Sequence, residues 1–202
     1  YSGSSLIMDL VPAVRKGDDK PGMYDYISGE FFTNSGSGEF IIGPAVNPEV
    51  PEEYIELEYI ESTGSQYIDT NYVPNQDTRI LADYSADIVV PGSEALFGAR
   101  ENFYTPGGIA FYPYFDYESN FVQINKDSDG NCYHTVGNYT PNKRVIVDFN
   151  KNKATFDGVI DPNPFIYENY TAPRNLAIFA DNYENGFVSF IHAKLYSFKI
   201  YE

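Results

Sequence analysis

The amino-acid sequence predicts an all-β fold, an antiparallel β-sandwich. Three observations favour it: apolar residues recur with a period of two, turn signals follow one another at short intervals, and no stretch of ten residues has the 3.6-residue period of an amphipathic helix. The chain has 202 residues, of which 43% are hydrophobic, so it can bury one large core more readily than two small ones. We therefore expect one sandwich domain built from short strands.

The elements follow from the pattern along the chain. Residues 1–42 predict a strand and a hairpin, and residues 43–53, GPAVNPEVPEE, contain three prolines and predict an extended linker. Residues 54–202 form the main body. Within it, alternation predicts a strand over Ile109–Tyr117, a hairpin from Val145 to Phe156 that turns at Asn150–Lys153, and a last strand around Tyr196–Ile200.

Composition excludes several classes of function. The formal net charge is −16, from 29 acidic and 13 basic residues, and such a surface repels nucleic-acid phosphates and anionic lipid. No stretch approaches the ~20 apolar residues of a membrane-spanning helix. The one cysteine, Cys132, excludes an internal disulfide framework and a four-thiolate zinc site.

Several segments together resemble a known family. The strings LELEYIESTGSQYIDTNYVPNQDTRI, LFGAR, RVIVDFNKNKATFDG, LAIFADNYENG and AKLYSFKIYE are similar to concanavalin A–like (laminin G–like) jelly-roll modules of gut-bacterial surface or phage structural proteins. In that family the last strand is followed by a segment that resembles LIMDLVPAVRK and PGMYDYISGEFFTNSGSG, which this chain has first, at residues 6–42. The resemblance implies a permuted jelly-roll module, found in extracellular, cell-surface or virion proteins and often in tandem repeats.

The permuted order leaves two arrangements open. In one, the front segment docks beside the last strand of its own chain, and the eleven-residue linker, which reaches at most ~35 Å, permits this. In the other, the front segment pairs with a neighbouring copy, as in donor-strand exchange. We favour the first, because a body without these strands would expose a long unpaired edge.

Catalysis has little support in the sequence. Laminarinase-type glycoside hydrolases place carboxylates in an E-x-D-x-x-E pattern along one strand face, and this chain lacks that pattern. The nearest approaches are two pairs, Glu56 with Glu58 and Asp116 with Glu118. No nucleophile triad, phosphate loop or zinc spacing is present either. We therefore expect a protein that is not an enzyme.

Binding is better supported, on the strand Ile109–Tyr117. Ile109 and Phe111 point to one face, whereas the even positions present tyrosines beside a carboxylate on the other. Tyrosine rings stack on sugar rings while acid groups bond hydroxyls, which predicts a glycan site. The predicted ligand-binding residues are Tyr104, Tyr112, Tyr114, Asp116 and Tyr117. Tyrosines also cover the outer faces of sheets that bind nothing, and the chain has no Trp.

A calcium site is a second hypothesis. Asn125, Asp127 and Asp129, followed by Gly130, match the first positions of the oxygen-rich loop D-x-[DN]-x-[DN]-G. The twelfth position, where that loop has a bidentate glutamate, is Val136, so a polar hairpin turn is the alternative interpretation.

The expected function is adhesion. We expect a non-catalytic surface or virion module that binds a glycan or surface receptor within a larger repetitive protein, with neighbouring copies as further partners. The alternative is a purely structural spacer or assembly module that acts through strand exchange, and a glycoside hydrolase is third.

Overall fold

The fold consists of two packed β-sheets. The computed structural model describes residues 5–46, 50–88, 91–101, 107–116, 119–124, 133–151, 153–161, 169–184 and 186–202, with backbone only at 115, 116, 119, 121, 123, 124 and 133–135. Its regular elements, within these ranges, are all strands. In chain order they are β1 (Leu6–Arg15), β2 (Lys20–Asp25), β3 (Phe31–Thr33), β4 (Ile41–Ile42), β5 (Tyr54–Glu56), β6 (Ile60–Thr63), β7 (Ile68–Asp69), β8 (Arg79–Ala86), β9 (Phe97–Arg100), β10 (Ile109–Asp116), β11 (Ser119–Ile124), β12 (Tyr133–Asn138), β13 (Val145–Asn150), β14 (Lys153–Phe156), β15 (Val159–Ile160), β16 (Ala177–Ile178), β17 (Asp181–Tyr183), β18 (Gly186–Val188) and β19 (His192–Tyr201).

The two sheets differ in size. In the described part of the chain the larger sheet has 11 strands in the order β15-β14-β13-β8-β19-β1-β2-β3, with β6 also beside β19, β4 beside β6 and β5 beside β1. The smaller sheet has 8 strands in the order β12-β11-β10-β9-β16-β7, and the hairpin β17–β18 joins it at β9. The described pairs are antiparallel except β17 with β9, which is parallel. The predicted all-β sandwich is confirmed.

The front segment docks on the last strand of its own chain. Strand β1 pairs with β19 through Leu10 opposite Phe198 and Met8 opposite Ile200, and Leu10 and Phe198 are fully buried. Strands β2 and β3 then extend the larger sheet outward. The front segment thus pairs within its own chain in this structure, and closure in solution, as opposed to exchange between copies, stays a prediction. The permuted origin of the segment stays a prediction.

The segment predicted to be an extended linker, residues 43–53, is bonded to the main body in its described part. The backbone N–H of Gly43 donates to the carbonyl of Tyr59 at 2.9 Å, and that of Glu58 donates to the carbonyl of Pro44 at 2.8 Å. Val50 is buried against Tyr24 and Ala13 on the outer face of the front strands. Residues 43–46 and 50–53 therefore pack on the domain. Their prolines are compatible with this packing, because a proline can lie along the edge of a sheet at a position where no N–H donor is needed.

Aromatic side chains fill the space between the sheets. Phe97 and Phe111 from the smaller sheet meet Phe149 and Phe198 from the larger one, with Phe97 centred 5.7 Å from both and Phe111 5.0 Å from Phe149. All four are buried. The alternation that predicted these strands placed their apolar faces correctly, because one face of each must pack against the other sheet.

Candidate functional site

A buried polar cluster lies on the outer face of the smaller sheet. On β9, Phe97 and Ala99 belong to the main core, so the intervening Gly98 and Arg100 point to the opposite face. Arg100 there meets Tyr112 from β10, Asp181 from the start of β17 and Tyr183 from its end. We call these four residues the Arg100 cluster.

Hydrogen bonds hold three of the four side chains together. Arg100 Nε donates to Asp181 Oδ2 at 2.5 Å, and the Tyr112 hydroxyl donates to the same oxygen at 2.6 Å. Arg100 Nη2 also donates to the Tyr112 hydroxyl oxygen. The side chains of Arg100 and Asp181 are 1% and 0% exposed, so the ion pair is removed from water. The other carboxylate oxygen, Asp181 Oδ1, is buried without a hydrogen-bond partner among the described residues.

Burial sets the protonation of the cluster. It raises the pKa of the Tyr112 phenol well above its ordinary value, and the negative charge of Asp181 acts in the same direction. Tyr112 is therefore a neutral donor at all physiological pH values. Burial also raises the pKa of the Asp181 carboxyl, and the Arg100 charge opposes that increase.

Gly98 lets the hairpin β17–β18 approach the sheet. A Cβ atom at position 98 would collide with the carboxylate of Asp181 and lie 3.0 Å from its Cα. Only glycine leaves room for a carboxylate packed directly on the strand backbone. The sequence therefore uses Gly98 to bring Asp181 within hydrogen-bond distance of Arg100.

The cluster reaches the surface through Tyr183. This half-buried ring lies over the Arg100 guanidinium, with 4.6 Å between the guanidinium carbon and the ring centroid. Beside it, Arg174 Nη2 donates to Glu101 Oε2 at 3.2 Å, with side chains 26% and 45% exposed. The backbone N–H of Glu184 donates to the Glu101 carbonyl at 3.0 Å. The aromatic ring over the buried ion pair and the carboxylate of the accessible arginine–carboxylate pair thus belong to adjoining positions of the same paired strands.

The predicted tyrosine row is arranged differently. Tyr112 is fully buried, packs with Ala95 and Ala110, and offers no ring face to a ligand in this arrangement. Tyr114 has a positive φ of 51° at a bulge between Tyr112 and Asp116, and its ring stacks on Tyr139 at 4.9 Å against the main core. The bulge breaks the alternation, so Tyr112 and Tyr114 do not share a face.

The other predicted site residues lie mostly beyond the described residues. Asp116 ends β10, and its side chain is outside the described part, as are Tyr104 and Tyr117. The predicted calcium ligands Asn125, Asp127 and Asp129 also lie outside it, so ligand binding and metal binding at these positions stay predictions. Within the described ranges, no group of three or more His, Cys, Asp and Glu side chains could hold a metal ion.

Of the carboxylates considered for catalysis, Glu56 has a hydrogen-bond partner, and the side chains of Asp116 and Glu118 lie outside the described part. The Tyr26 hydroxyl donates to Glu56 Oε2 at 3.2 Å, which places Glu56 at the front strands. Glu118 lies outside the described residues, and Asn120 is buried with an unpaired Oδ1.

Sequence reasoning did not bring Arg100, Asp181 and Tyr183 together in one site. Arg100 follows the apolar stretch LFGA and Asp181 follows IFA, so a charge that directly ends a buried strand was the signal available for these two residues. The signal is weak alone, because such charges usually point to solvent.

Comparisons with known proteins establish the fold. No family model matches the chain, and no curated protein matches it at a significant level. Among solved structures, the chain is similar to domain 4 of AbnA, a GH43 extracellular arabinanase from Geobacillus stearothermophilus in complex with arabinotriose, at 11% identity and a TM-score of 0.59, over 96% of this chain and 93% of that one. Similarity to a Trypanosoma rangeli sialidase, in complex with 2,3-difluorosialic acid, covers 95% of this chain and 30% of that one, at 11% identity and a TM-score of 0.51.

A third structure is a botulinum neurotoxin type C, for which interaction with two ganglioside molecules is described. The similarity covers 96% of this chain and 47% of that one, at 12% identity and a TM-score of 0.51. This chain therefore spans less than half of the sialidase and of the neurotoxin. Identities this low show the fold alone. In the described part of the chain, moreover, no helix has the length and apolar character needed to cross a membrane. The chain has the β-sandwich fold of these domains.

Proposed function

We propose that this chain is a non-catalytic glycan-binding module of the concanavalin A–like type, used for adhesion by a surface or virion protein. The observation that carries the proposal is the Tyr183 ring, which lies over the guanidinium of the buried Arg100–Asp181 pair, with the accessible Glu101–Arg174 pair at the adjoining backbone position. Carbohydrate sites combine a fixed aromatic ring with a few charged or polar groups that bond hydroxyls.

The fold neighbours support this proposal. Domain 4 of the arabinanase, which the chain matches from end to end, was solved with arabinotriose, and a binding domain of botulinum neurotoxin DC was solved with SialylT. The arabinanase is an extracellular protein, which supports an extracellular location for this chain. A carbohydrate partner is therefore a better hypothesis than nucleic acid, which the net charge of −16 disfavours.

The rim of the Arg100 cluster is the surface we assign to the glycan. Tyr183 supplies a stacking face, while Glu101 accepts and Arg174 donates hydrogen bonds to hydroxyl groups. The buried pair beneath holds the ring in place, which reduces the entropy lost when a sugar binds.

Glycan-array screening of the intact chain, followed by titration calorimetry on the best ligand, tests the proposal. We expect saturable binding that Tyr183→Ala weakens by about tenfold or more, and that Tyr183→Phe retains because the ring remains. The matched control is Tyr196→Ala on the larger sheet. Tyr196 is also half-buried and also stacks on an arginine, with 3.8 Å between the guanidinium carbon of Arg144 and the ring centroid. Absence of saturable binding to any glycan, or equal losses in Tyr183→Ala and Tyr196→Ala, would contradict the proposal.

Assembly through strand exchange is the second candidate. It rests on the pairing of β1 with β19, since the same Leu6–Leu10 segment could complete the sheet of a neighbouring copy. A solution mass that rises with concentration to dimers or longer chains would favour it. Calcium binding by the loop at Asn125, Asp127 and Asp129, and glycoside hydrolysis, remain weaker proposals.

A further inference from the structure

A small cavity lies at the start of β2, and none of its wall residues belongs to the Arg100 cluster. Its volume is about 190 Å³, and its wall includes Lys20, Thr33, Asn34, Glu39 and Phe40. This is smaller than the ~300–1,000 Å³ of sites for drug-sized ligands, so an occupant would be about one ring in size. The whole cavity belongs to the front segment that completes the larger sheet.

The loop that forms the wall is held in one shape. Asn34 Oδ1 accepts from the N–H groups of Gly36 at 2.8 Å and Tyr67 at 3.1 Å, while Asn34 Nδ2 donates to the carbonyl of Gly38 at 2.8 Å. Gln66 Nε2 donates to the carbonyl of Glu39 at 3.1 Å. A cavity that is already formed loses little conformational entropy when a ligand enters it.

The polar groups of the wall are available to a ligand. Among the described residues, the carboxylate nearest to Lys20 Nζ is that of Asp18, at 4.0 Å, which is beyond hydrogen-bond distance. Within the described part of the chain, the side chains of Thr33 and Glu39 form neither a hydrogen bond nor an ion pair. The cavity therefore presents an ammonium donor, a hydroxyl and a carboxylate acceptor.

Pro21 gives the cavity wall an apolar surface. Phe40 also lines the cavity, but it is 4% exposed and packs on Phe179 in the main core, with ring centroids 5.4 Å apart. An apolar surface with hydrogen-bonding groups around it matches a sugar ring, whose C–H face is apolar and whose hydroxyls lie at its edge.

We propose that this cavity binds one neutral sugar unit at the end of a glycan, as a second site distinct from the Tyr183 surface. The inference rests on the proposed glycan-binding function. Neutral sugars are favoured because Lys20 and Glu39 balance each other, while the net charge of −16 repels acidic glycans at long range. In the bound state Lys20 donates to a hydroxyl oxygen, Glu39 accepts from hydroxyl groups and Pro21 contacts the C–H face.

The test is a titration of the intact, isotope-labelled chain with arabinotriose and with neutral methyl glycosides of glucose, galactose and arabinose, followed by amide NMR. We expect saturable shifts at Gly36, Gly38 and Glu39. Glu39→Gln and Lys20→Met should each weaken this binding by about tenfold, because each removes a charge-assisted hydrogen bond. Glu30→Gln, at an exposed glutamate outside the cavity, is the matched control and should leave affinity unchanged.

The outcomes separate this inference from the proposed function. If glycans bind and only Tyr183→Ala weakens them, with no shifts in residues 33–40, the cavity assignment is overturned and the proposed function stands. If no glycan binds at all, both fail. If free sialic acid or an amino acid shifts the same amides in preference to neutral sugars, and Lys20→Met abolishes that effect, the assignment to neutral sugars is wrong.

Discussion

Arg100 and Asp181 stand 81 positions apart in the sequence and form an ion pair whose side chains are 1% and 0% exposed. The pair attaches the hairpin β17–β18 to β9 and covers a sheet face that the alternating pattern would leave to solvent. Tyr112 is enclosed by the same contact, because its hydroxyl donates to the Asp181 oxygen that Arg100 also bonds. The surface presented by Tyr183 therefore depends on charges buried beneath it.

Loss of the Asp181 charge should destabilise the fold. Asp181→Asn leaves the Arg100 charge buried without its counter-charge, and we expect the free energy of unfolding to fall by about 3–5 kcal/mol. The control is Asp77→Asn, whose partner Lys151 lies 3.1 Å away with both side chains more than half exposed, and for which we expect about 0–1 kcal/mol. Urea denaturation of the two variants measures both values. Similar losses in the two would show that the buried pair has no special role.

Substitution of Gly98 tests the close approach of the hairpin. Gly98→Ala places a methyl group against the Asp181 carboxylate, and we expect a loss of about 1–3 kcal/mol from overpacking. Gly186→Ala is the matched control on the same hairpin, because a Cβ there meets no atom within 4 Å. Thermal and urea unfolding of both variants provide the comparison. Equal stability of the two would contradict the packing described here.

Tyr139 gives the fold an alkaline limit. Its hydroxyl accepts from the N–H of Ile88 and donates to the carbonyl of Ala86, both within 2.8 Å, and burial raises its pKa to about 12. In the unfolded chain the phenol ionises near its ordinary pKa of about 10. Because the folded pKa is the higher one, the stability that Tyr139 contributes is complete below pH 10 and is lost as pH rises towards 12.

The variant Tyr139→Phe measures this contribution. It leaves the Ile88 N–H buried without its acceptor, so at pH 8 we expect it to be about 1–3 kcal/mol less stable than the natural chain. The difference between the two proteins should shrink as pH rises from 10 to 12. Denaturation curves of both proteins at several pH values measure this difference in the free energy of unfolding. A difference that stays constant from pH 10 to 12 would contradict the raised pKa of Tyr139.

Removal of residues 1–46 tests the closure of the larger sheet. Without β1, the half of β19 from Phe198 to Tyr201 loses its partner on one side, and the buried Leu10 is lost from the core. We expect the intact chain to be monomeric and the shortened chain to unfold or aggregate, because its edge is long and unpaired. Solution mass and a thermal melt of each are the measurements. A shortened chain that stays folded, soluble and monomeric would show that the front segment is not part of this core.

The sequence by itself determined the fold class, the main strands and the apolar face that each turns to the core. Phe111 and Phe198 were predictable in this way, because alternation with a period of two depends only on local backbone geometry. The interpretation of the opposite face was incorrect at Tyr112, since alternation identifies a second face and cannot tell whether another element covers it.

Tertiary structure alone decided the site. Arg100, Tyr112 and Asp181 come from three strands, and their meeting depends on the absence of a side chain at Gly98 and on the parallel pairing of β17 with β9. The bulge and the positive φ at Tyr114 likewise belong to contacts that are not local in sequence, namely the pairing of β10 with β11 and the stacking of Tyr114 on Tyr139. Contacts between residues far apart in the chain determine these features, so a local sequence pattern does not predict them. The physical reason is that the energy of a buried charge is set by the partners that surround it in the folded chain.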